Sequence, residues 1–349
     1  MHRMKQIVFF MLRILGIEKA VFKQYYTSED YVYITFFEDI GSAVFPLNYL
    51  NELKEKNANR KIAAVTCEKY GGLCKLWPKI DDSIIVSPKK ILLIKDYLAH
   101  KDSHWKRSHN IYHFYSNREF QSALTWAHNN DQLFNKVTIY NVAYSFVYGL
   151  PVITTPCYGD YRLADIGLVQ TLINKFHIEK SRSCILIPYT KSGDEIPLMF
   201  WETIVSTLCD EGYKVYTNTD DDEKVIARTE KIFAPLETVP YLVNYAGYAI
   251  TNQTGLGDLL HLCNCPCSMI LNYGEKYFNM SQESVKSDAD LYERLDMLSV
   301  VEKNRYNMSL VGEDAFVFPN SYYGIYDSES KLKSLAEKVL RDVRENLKS

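Results

Sequence analysis

The sequence predicts an α/β protein made of two Rossmann-like domains facing a cleft, and three observations predict it. The chain has 349 residues, long for one hydrophobic core and suited to two. Apolar β-rich runs alternate with segments of helical periodicity along most of its length. That alternation pauses at the polar stretch His177 to Ser183 and then begins again. The expected organisation is an N-terminal amphipathic helix over 1–27, one domain over 28–177, a second over 183–328, and a C-terminal helix over 329–349.

In chain order, Ile7 to Ile17 is an apolar run broken by Arg13, too short to span a bilayer and followed by no small-residue cleavage site. Its apolar residues, with Val21 and Phe22, recur at helical spacing among Arg3, Lys5, Arg13, Lys19 and Lys23. Such a helix either lies on an anionic membrane or packs on its own domain. Strands are expected at Tyr31 to Phe37, Lys61 to Thr66, Ser83 to Val86 and Ile111 to Tyr115. Helices are expected from Ser42, over Lys69 to Trp77, Asn117 to His128, Thr138 to Tyr148 and Leu163 to Phe176. The second half repeats the scheme. Its strands are Cys184 to Pro188, Lys214 to Asn218, Tyr248 to Thr251 and Ser268 to Leu271. Its helices are Leu198 to Glu211, a charged one after Glu223, and those near Thr238 to Tyr245, Leu256 to Cys263 and Ser330 to Leu347.

Composition narrows the function classes. A formal charge of −3 carries no global basic field of the kind nucleic acid demands. The 27 tyrosines read as base-composition bias in the source genome. Eight cysteines in a chain able to build a core, without a secretory signal, point to free thiols in a reducing compartment. Cys263, Cys265 and Cys267 form C-x-C-x-C, which lacks zinc-ribbon spacing. No two-histidine metal motif occurs, and Asp220-Asp221-Asp222 reads as a solvated turn.

The sharpest local feature is the run Ala249-Ile250-Thr251-Asn252-Gln253-Thr254-Gly255-Leu256-Gly257-Asp258. A buried strand enters a glycine-containing turn that opens a helix, so free amides and the helix dipole converge on one point. Gly255 permits close approach of a diphosphate, and Thr254 either caps the helix or donates to a phosphate oxygen. Neither G-x-G-x-x-G nor a P-loop is present, which weakens dinucleotide and ATPase readings.

Three segments in order, ITFFEDIGSAVFPLNYL from Ile34, ILIPYTKSGDEIPLMFWET from Ile185, and Tyr248 to Ile270, resemble the GT-B glycosyltransferases related to bacterial lipopolysaccharide heptosyltransferases. The resemblance implies an acceptor-binding first domain and a nucleotide-sugar-binding second domain. It implies an inverting, metal-independent hexosyl- or heptosyltransferase without a cofactor, the nucleotide sugar being its substrate. Thr254, Gly255 and Leu256 then match the donor-phosphate turn, and Thr190 and Lys191 the donor loop. This chain has Asp194 where the family carries a lysine, Gln253 where it carries an acid, Asp258 where it carries a histidine, and Gly41-Ser42 where it carries Gly-Asp. These departures point to a sugar nucleotide other than ADP-heptose.

Glycosyl transfer needs a base for the acceptor hydroxyl and positive charge or amide dipoles for the departing diphosphate. Glu38 or Asp39, at the tip of the first strand, is the expected base, with capping of the next helix as the alternative role. Lys191 either contacts the diphosphate or is a solvated loop lysine. Asp258 either orients the donor sugar or stabilises its helix's first turn, and Glu237 either accepts from ribose or simply starts a helix. Lysines, arginines and histidines crowd Lys89 to Arg118, to receive a phosphorylated or lipid-linked acceptor, to touch anionic headgroups, or as a solvated basic loop. The expected partners are a nucleotide-diphosphate sugar, a glycan or lipid-linked acceptor and an anionic membrane, with no nucleic acid. The expected location is cytoplasmic, peripheral on the inner face of the cell membrane. Two rivals stand: a nucleotide-sugar epimerase of the same fold, and a non-catalytic relative that binds a glycan or partner.

Overall fold

The computed structural model describes residues 11–37, 40, 46–113, 145, 147–151, 153, 156–190, 195–252, 254–272, 321–324, 326 and 328–347. The chain forms two compact units, Met1–Cys157 and Tyr158–Ser349. In order, the first contains α1 (Ile17–Lys23), β1 (Tyr31–Phe36), α2 (Leu50–Lys56), β2 (Lys61–Thr66), α3 (Glu68–Gly71), β3 (Asp82–Ile85), α4 (Pro88–Ala99), α5 (Ser103–Ser108) and β4 (Ile111–His113). The second contains α6 (Ile166–Phe176), β5 (Ser183–Ile187), α7 (Leu198–Asp210), β6 (Lys214–Asn218), β7 (Glu230–Ile232), α8 (Val239–Ala246), β8 (Gly247–Asn252), α9 (Gly255–Leu262), β9 (Cys267–Asn272), β10 (Ser321–Gly324) and α10 (Glu329–Leu347).

Every strand pairing among the described residues is parallel. The first sheet runs β3-β2-β1-β4 and the second β10-β9-β8-β5-β6-β7. Parallel strands are covered on both faces, which is why β5 is buried along its whole length and reads as a continuous apolar run. Two Rossmann-like units are therefore present.

Helical spacing of apolar residues fixes the layers. On α7, after Pro197, the buried residues Phe200, Trp201, Ile204, Val205 and Leu208 share one side. On α10 they are Leu332, Leu335, Ala336, Val339, Leu340, Val343 and Leu347, with one buried carboxylate, Asp342, among them. Both helices join Cys184, Leu186, Tyr248, Ile250 and Ile270 in one core, so the C-terminal helix belongs to the second unit. Within it Ser268 Oγ donates to Asp342 Oδ2 at 3.2 Å and Tyr248 pairs with Ser268 at 2.9 Å, satisfying polar groups under the helix.

Some sequence expectations change. The division between units falls before α6, not after it. The segment leading into α6 is tied to the second unit, since Gly159 N–H donates to the Leu262 carbonyl at 2.9 Å and Tyr161 meets the Tyr241 ring edge-on. The expected helix over 69–77 splits at Gly71-Gly72 into α3 and a 3₁₀ turn, Leu73–Leu76. No helix follows Glu223 beyond the 3₁₀ turn Asp222–Lys224, because Ile226 N–H and Thr229 both bond to Thr217 of β6. The basic stretch from Lys89 is not a loop. Ser87-Pro88 starts α4 with proline in its first turn, and Asp102 caps α5 through Trp105 N–H at 2.7 Å. The helix expected over Asn117 to His128 lies outside the described residues, as does most of that over Thr138 to Tyr148.

Candidate functional site

In the second sheet β5, β6 and β7 extend to one side and β8, β9 and β10 to the other, so the strand order reverses between β5 and β8. The two helices that follow these strands leave on opposite faces. The first of them, α7, packs on the face of Cys184, Leu186, Tyr248 and Ile250. The other, α9, packs on the alternate residues: a Cβ placed on Gly257 would meet Thr251 Cγ2 at 3.1 Å and Met269 Sδ at 3.6 Å. Connections that diverge in this way leave a crevice at the carboxyl ends of the two strands, where open α/β sheets bind ligands.

Thr190 follows β5 and the turn Thr254-Gly255 follows β8, so both border that point; Ile187 and Thr251 are direct partners in the sheet. Asn252 Nδ2 donates to the Pro188 carbonyl at 3.4 Å and ties the two exits together. On the other side of Thr190 the exit from β5 is pinned by Tyr189, whose hydroxyl donates to the Lys224 carbonyl at 2.6 Å beneath the Lys224 ammonium. Thr190 is half-buried and itself engaged in a contact.

The start of α9 shows what the turn offers. Thr254 is the cap, its Oγ1 accepting from Gly257 N–H at 3.1 Å, while Asp258 N–H donates to the Thr254 carbonyl at 3.1 Å. The amides of Gly255 and Leu256, ahead of these, have no acceptor among the described residues. A hydroxyl that accepts one bond still has a proton to give, so Thr254 can cap and donate outward together. Residues Leu256 to Leu262 are all buried, so the dipole of α9 acts in a medium of low polarisability. Asp258 is buried in the first turn, where a carboxylate favours the helix, and it is held by a contact there.

Glu237 lies half-buried in the turn between β7 and α8, beside Thr238, whose Oγ1 donates to the Pro235 carbonyl at 2.7 Å. Because α8 runs back across β5 and β8, its N-terminus and Glu237 stand at the same sheet edge as Thr190 and Thr254. Lys191, Asp194 and Gln253 lie outside the described residues, and so do Glu38 and Asp39. The strand that leads to these two carboxylates, β1, sits between β2 and β4 at the equivalent reversal of the first sheet. Asn252 and Gly257 are the two residues that sequence reasoning missed. The signal for Gly257 was present as the second glycine of Thr-Gly-Leu-Gly.

No protein-family model and no curated protein matches the sequence. Solved structures do match. An ADP-heptose lipopolysaccharide heptosyltransferase II of E. coli is similar over 90% of this chain and 98% of its own, with 13% identity and a TM-score of 0.55. The E. coli heptosyltransferase WaaC with ADP is similar over 90% of this chain and 99% of its own, at 14% identity and TM-score 0.50. A glycosyl transferase family 9 protein from Veillonella parvula is similar over 71% of this chain and 82% of its own, also at 14% identity and TM-score 0.50. The fold is that of the GT-B heptosyltransferases. Its two parallel sheets are the two Rossmann-like domains of that architecture.

Other sequence candidates resolve into structural roles. Lys106 is buried and in contact, Arg107 donates to the Val147 carbonyl at 2.8 Å, and Lys101 lies over the Tyr97 and Trp105 rings. Asp221 caps a 3₁₀ turn through Glu223 N–H, and Asp222 pairs with Lys231 at 2.6 Å. Cys263, Cys265 and Cys267 are buried free thiols, each pushed up by burial. His113 ends β4 opposite Thr35, and its Nδ1 donates to the Thr35 carbonyl at 3.3 Å.

Two outcomes are expected. Gly257→Val drives a branched side chain into Thr251 and lowers unfolding free energy by about 1–3 kcal/mol, read by urea denaturation, with Thr251→Ser in the same chain recovering part of the loss. His113 is pushed down to about 3 from an ordinary 6.5, by burial and then by Lys106. A histidine depressed on folding leaves its stabilisation intact above the unfolded value. The stabilisation is lost as pH falls from there toward the folded value, because the unfolded chain then binds the extra proton. Relative to His113→Gln, the parent should lose about 1.4 kcal/mol per pH unit across that window, measured by denaturation at stepped pH.

Proposed function

We propose that this protein is a glycosyltransferase that moves a hexosyl or heptosyl group from a nucleotide-diphosphate sugar to a hydroxyl of a cell-surface glycan such as lipopolysaccharide or capsule. The observation that carries the reading is the start of α9: two open amides, a threonine hydroxyl and a buried helix dipole at the reversal of the second sheet. The E. coli protein of the same fold that was solved with ADP supports a nucleotide as the ligand of such a unit.

In this reading the acceptor hydroxyl, relieved of its proton by Glu38 or Asp39, attacks the anomeric carbon of the donor. The bond from that carbon to the diphosphate breaks, and the charge that develops on the departing phosphate falls on Gly255 and Leu256 N–H, Thr254, Thr190 and Lys191. Direct displacement inverts the anomeric centre and calls on no metal. Glu237 accepts from the donor's ribose, and Asp258 holds the first turn of α9. The donor is a sugar nucleotide other than ADP-heptose, since Asp194, Gln253 and Asp258 replace the groups expected around that sugar. The acceptor is a glycan or lipid-linked glycan, and the enzyme works in the cytoplasm against the inner face of the membrane.

A thermal-shift series of nucleoside diphosphates and their sugars tests the donor site. A ligand at 100 times its dissociation constant stabilises by about 2.7 kcal/mol. Thr254→Val should weaken that ligand about tenfold or more, and Thr254→Ser should retain it. No response to any nucleotide in the parent chain would overturn the reading. Once a donor is known, Glu38→Gln and Asp39→Asn are assayed separately for sugar transfer. One should lose turnover by about 100-fold or more while binding donor normally. Full turnover in both removes them as the base, and nucleotide binding without any sugar release would mark a non-catalytic relative.

A further inference from the structure

The segment that carries the fold's N-terminus combines two properties that a packed helix does not need. One side of α1 is sealed: Val21 and Phe22 are buried, Phe22 stacks on Tyr26 at 4.3 Å and meets the tilted Tyr97 ring at 4.7 Å, and the helix lies against α4. Met11, Ile14 and Leu15 ahead of it and Ile17 at its start are 56%, 70%, 69% and 37% exposed, and Leu92 on α4 is 57% exposed. These side chains are not a frayed tail. Arg13 fixes the segment to α4 through Asp96 at 2.6 Å and approaches the buried Glu18 at 3.5 Å. Gly16 then turns the chain in the left-handed region, with open space where a side chain would stand.

The same segments carry positive charge. Residues 11–24 and 88–100 hold six cations, Arg13, Lys19, Lys23, Lys89, Lys90 and Lys95, against the carboxylates Glu18 and Asp96. Both carboxylates are occupied by Arg13. Lys19, Lys23 and Lys89 are exposed, although the whole chain carries a formal charge of −3. No helix among the described residues is long and apolar enough to cross a membrane. Exposed apolar side chains and exposed cations carried by the same two segments match the headgroup boundary of an anionic bilayer: the tips enter the acyl region and the lysines meet phosphates.

We propose that the face formed by residues 11–23 and the outer side of α4 docks on an anionic lipid bilayer, with Met11, Ile14 and Leu15 inserted and Lys19, Lys23 and Lys89 on the headgroups. The assignment rests on this face alone and stands apart from the donor site. Its test is flotation of the full chain with vesicles of phosphatidylcholine, with and without phosphatidylglycerol, at low and high salt. The parent should float with the anionic vesicles, less so at high salt, and hardly at all with phosphatidylcholine alone. The double variant Ile14→Ser with Leu15→Ser should bind at least about tenfold more weakly, and Lys19→Gln with Lys23→Gln should lose most of the salt dependence. Unchanged melting temperature and nucleotide response in both variants separate this result from misfolding and from failure of the donor reading. Absence of flotation in the parent, or flotation untouched by the Ile14 and Leu15 changes, overturns the proposal. So does sedimentation showing that these residues instead join two copies of the chain.

Discussion

The constraint on which the second unit depends is the two-sided burial of a parallel sheet. Because β5 and β8 are covered on both faces, their backbone and side chains are spent on packing, and only their carboxyl ends remain for chemistry. The reversal of strand order sends α7 to one face and α9 to the other, so the helices that follow Ile187 and Thr251 diverge from the strand ends. Gly257 is what lets α9 start so close to the sheet. With no side chain there, the first turn rests on Thr251 and Met269, and its open amides stand beside the strand end instead of a side chain's width away. The proposed anion site thus follows from how tightly one helix can approach one strand.

Most of the second unit was legible in the sequence for the same reason. Its strands are short apolar runs bounded by polar turns, its helices carry apolar residues at helical spacing, and Lys214 to Asn218 was read with the bounds it has. The turn at Thr254 was legible because strand, threonine and glycine follow one another along the chain. What could not be read is anything set by contacts distant in sequence. Asn252 is unremarkable until β5 is known to lie beside β8, when its amide is found on the Pro188 carbonyl 64 residues away. The segment after Glu223 has the charges of a surface helix, yet Thr217 takes hydrogen bonds from it and holds it in turns. The polar stretch after α6 looks like a linker, while two ties within the second unit, Gly159 to Leu262 and Tyr161 to Tyr241, are made upstream of that helix.

Charge density misled in the first unit for a related reason. Lys89 to Arg118 reads as a basic surface when residues are counted, but folding takes much of that charge out of play. Lys106 is buried, Arg107 is bonded to a carbonyl, Lys101 and Lys90 lie over aromatic rings, and His113 is held neutral inside the sheet layer. A positive charge already satisfied by a carbonyl or a ring has less to offer a phosphate than its formal value suggests. Within α1 and α4, Lys19, Lys23 and Lys89 stay exposed, a smaller set than the count of residues implies.

The two readings of the N-terminal segment, packed helix or membrane-surface helix, are consequently not alternatives. An amphipathic period says only that one side differs from the other, and here the apolar residues divide between two destinations. Val21 and Phe22 face α4, whereas Met11, Ile14 and Leu15 face away from any described neighbour that would cover them. Packing of the first group fixes the direction in which the second projects, and the Arg13 bridge to Asp96 holds the turn between them. Three or four apolar tips add little core to a unit of this size but a useful depth of contact to an interface. Exposure of this kind is costly in water and is hard to account for by folding alone. It makes physical sense if the surface that completes the first unit is supplied from outside the chain.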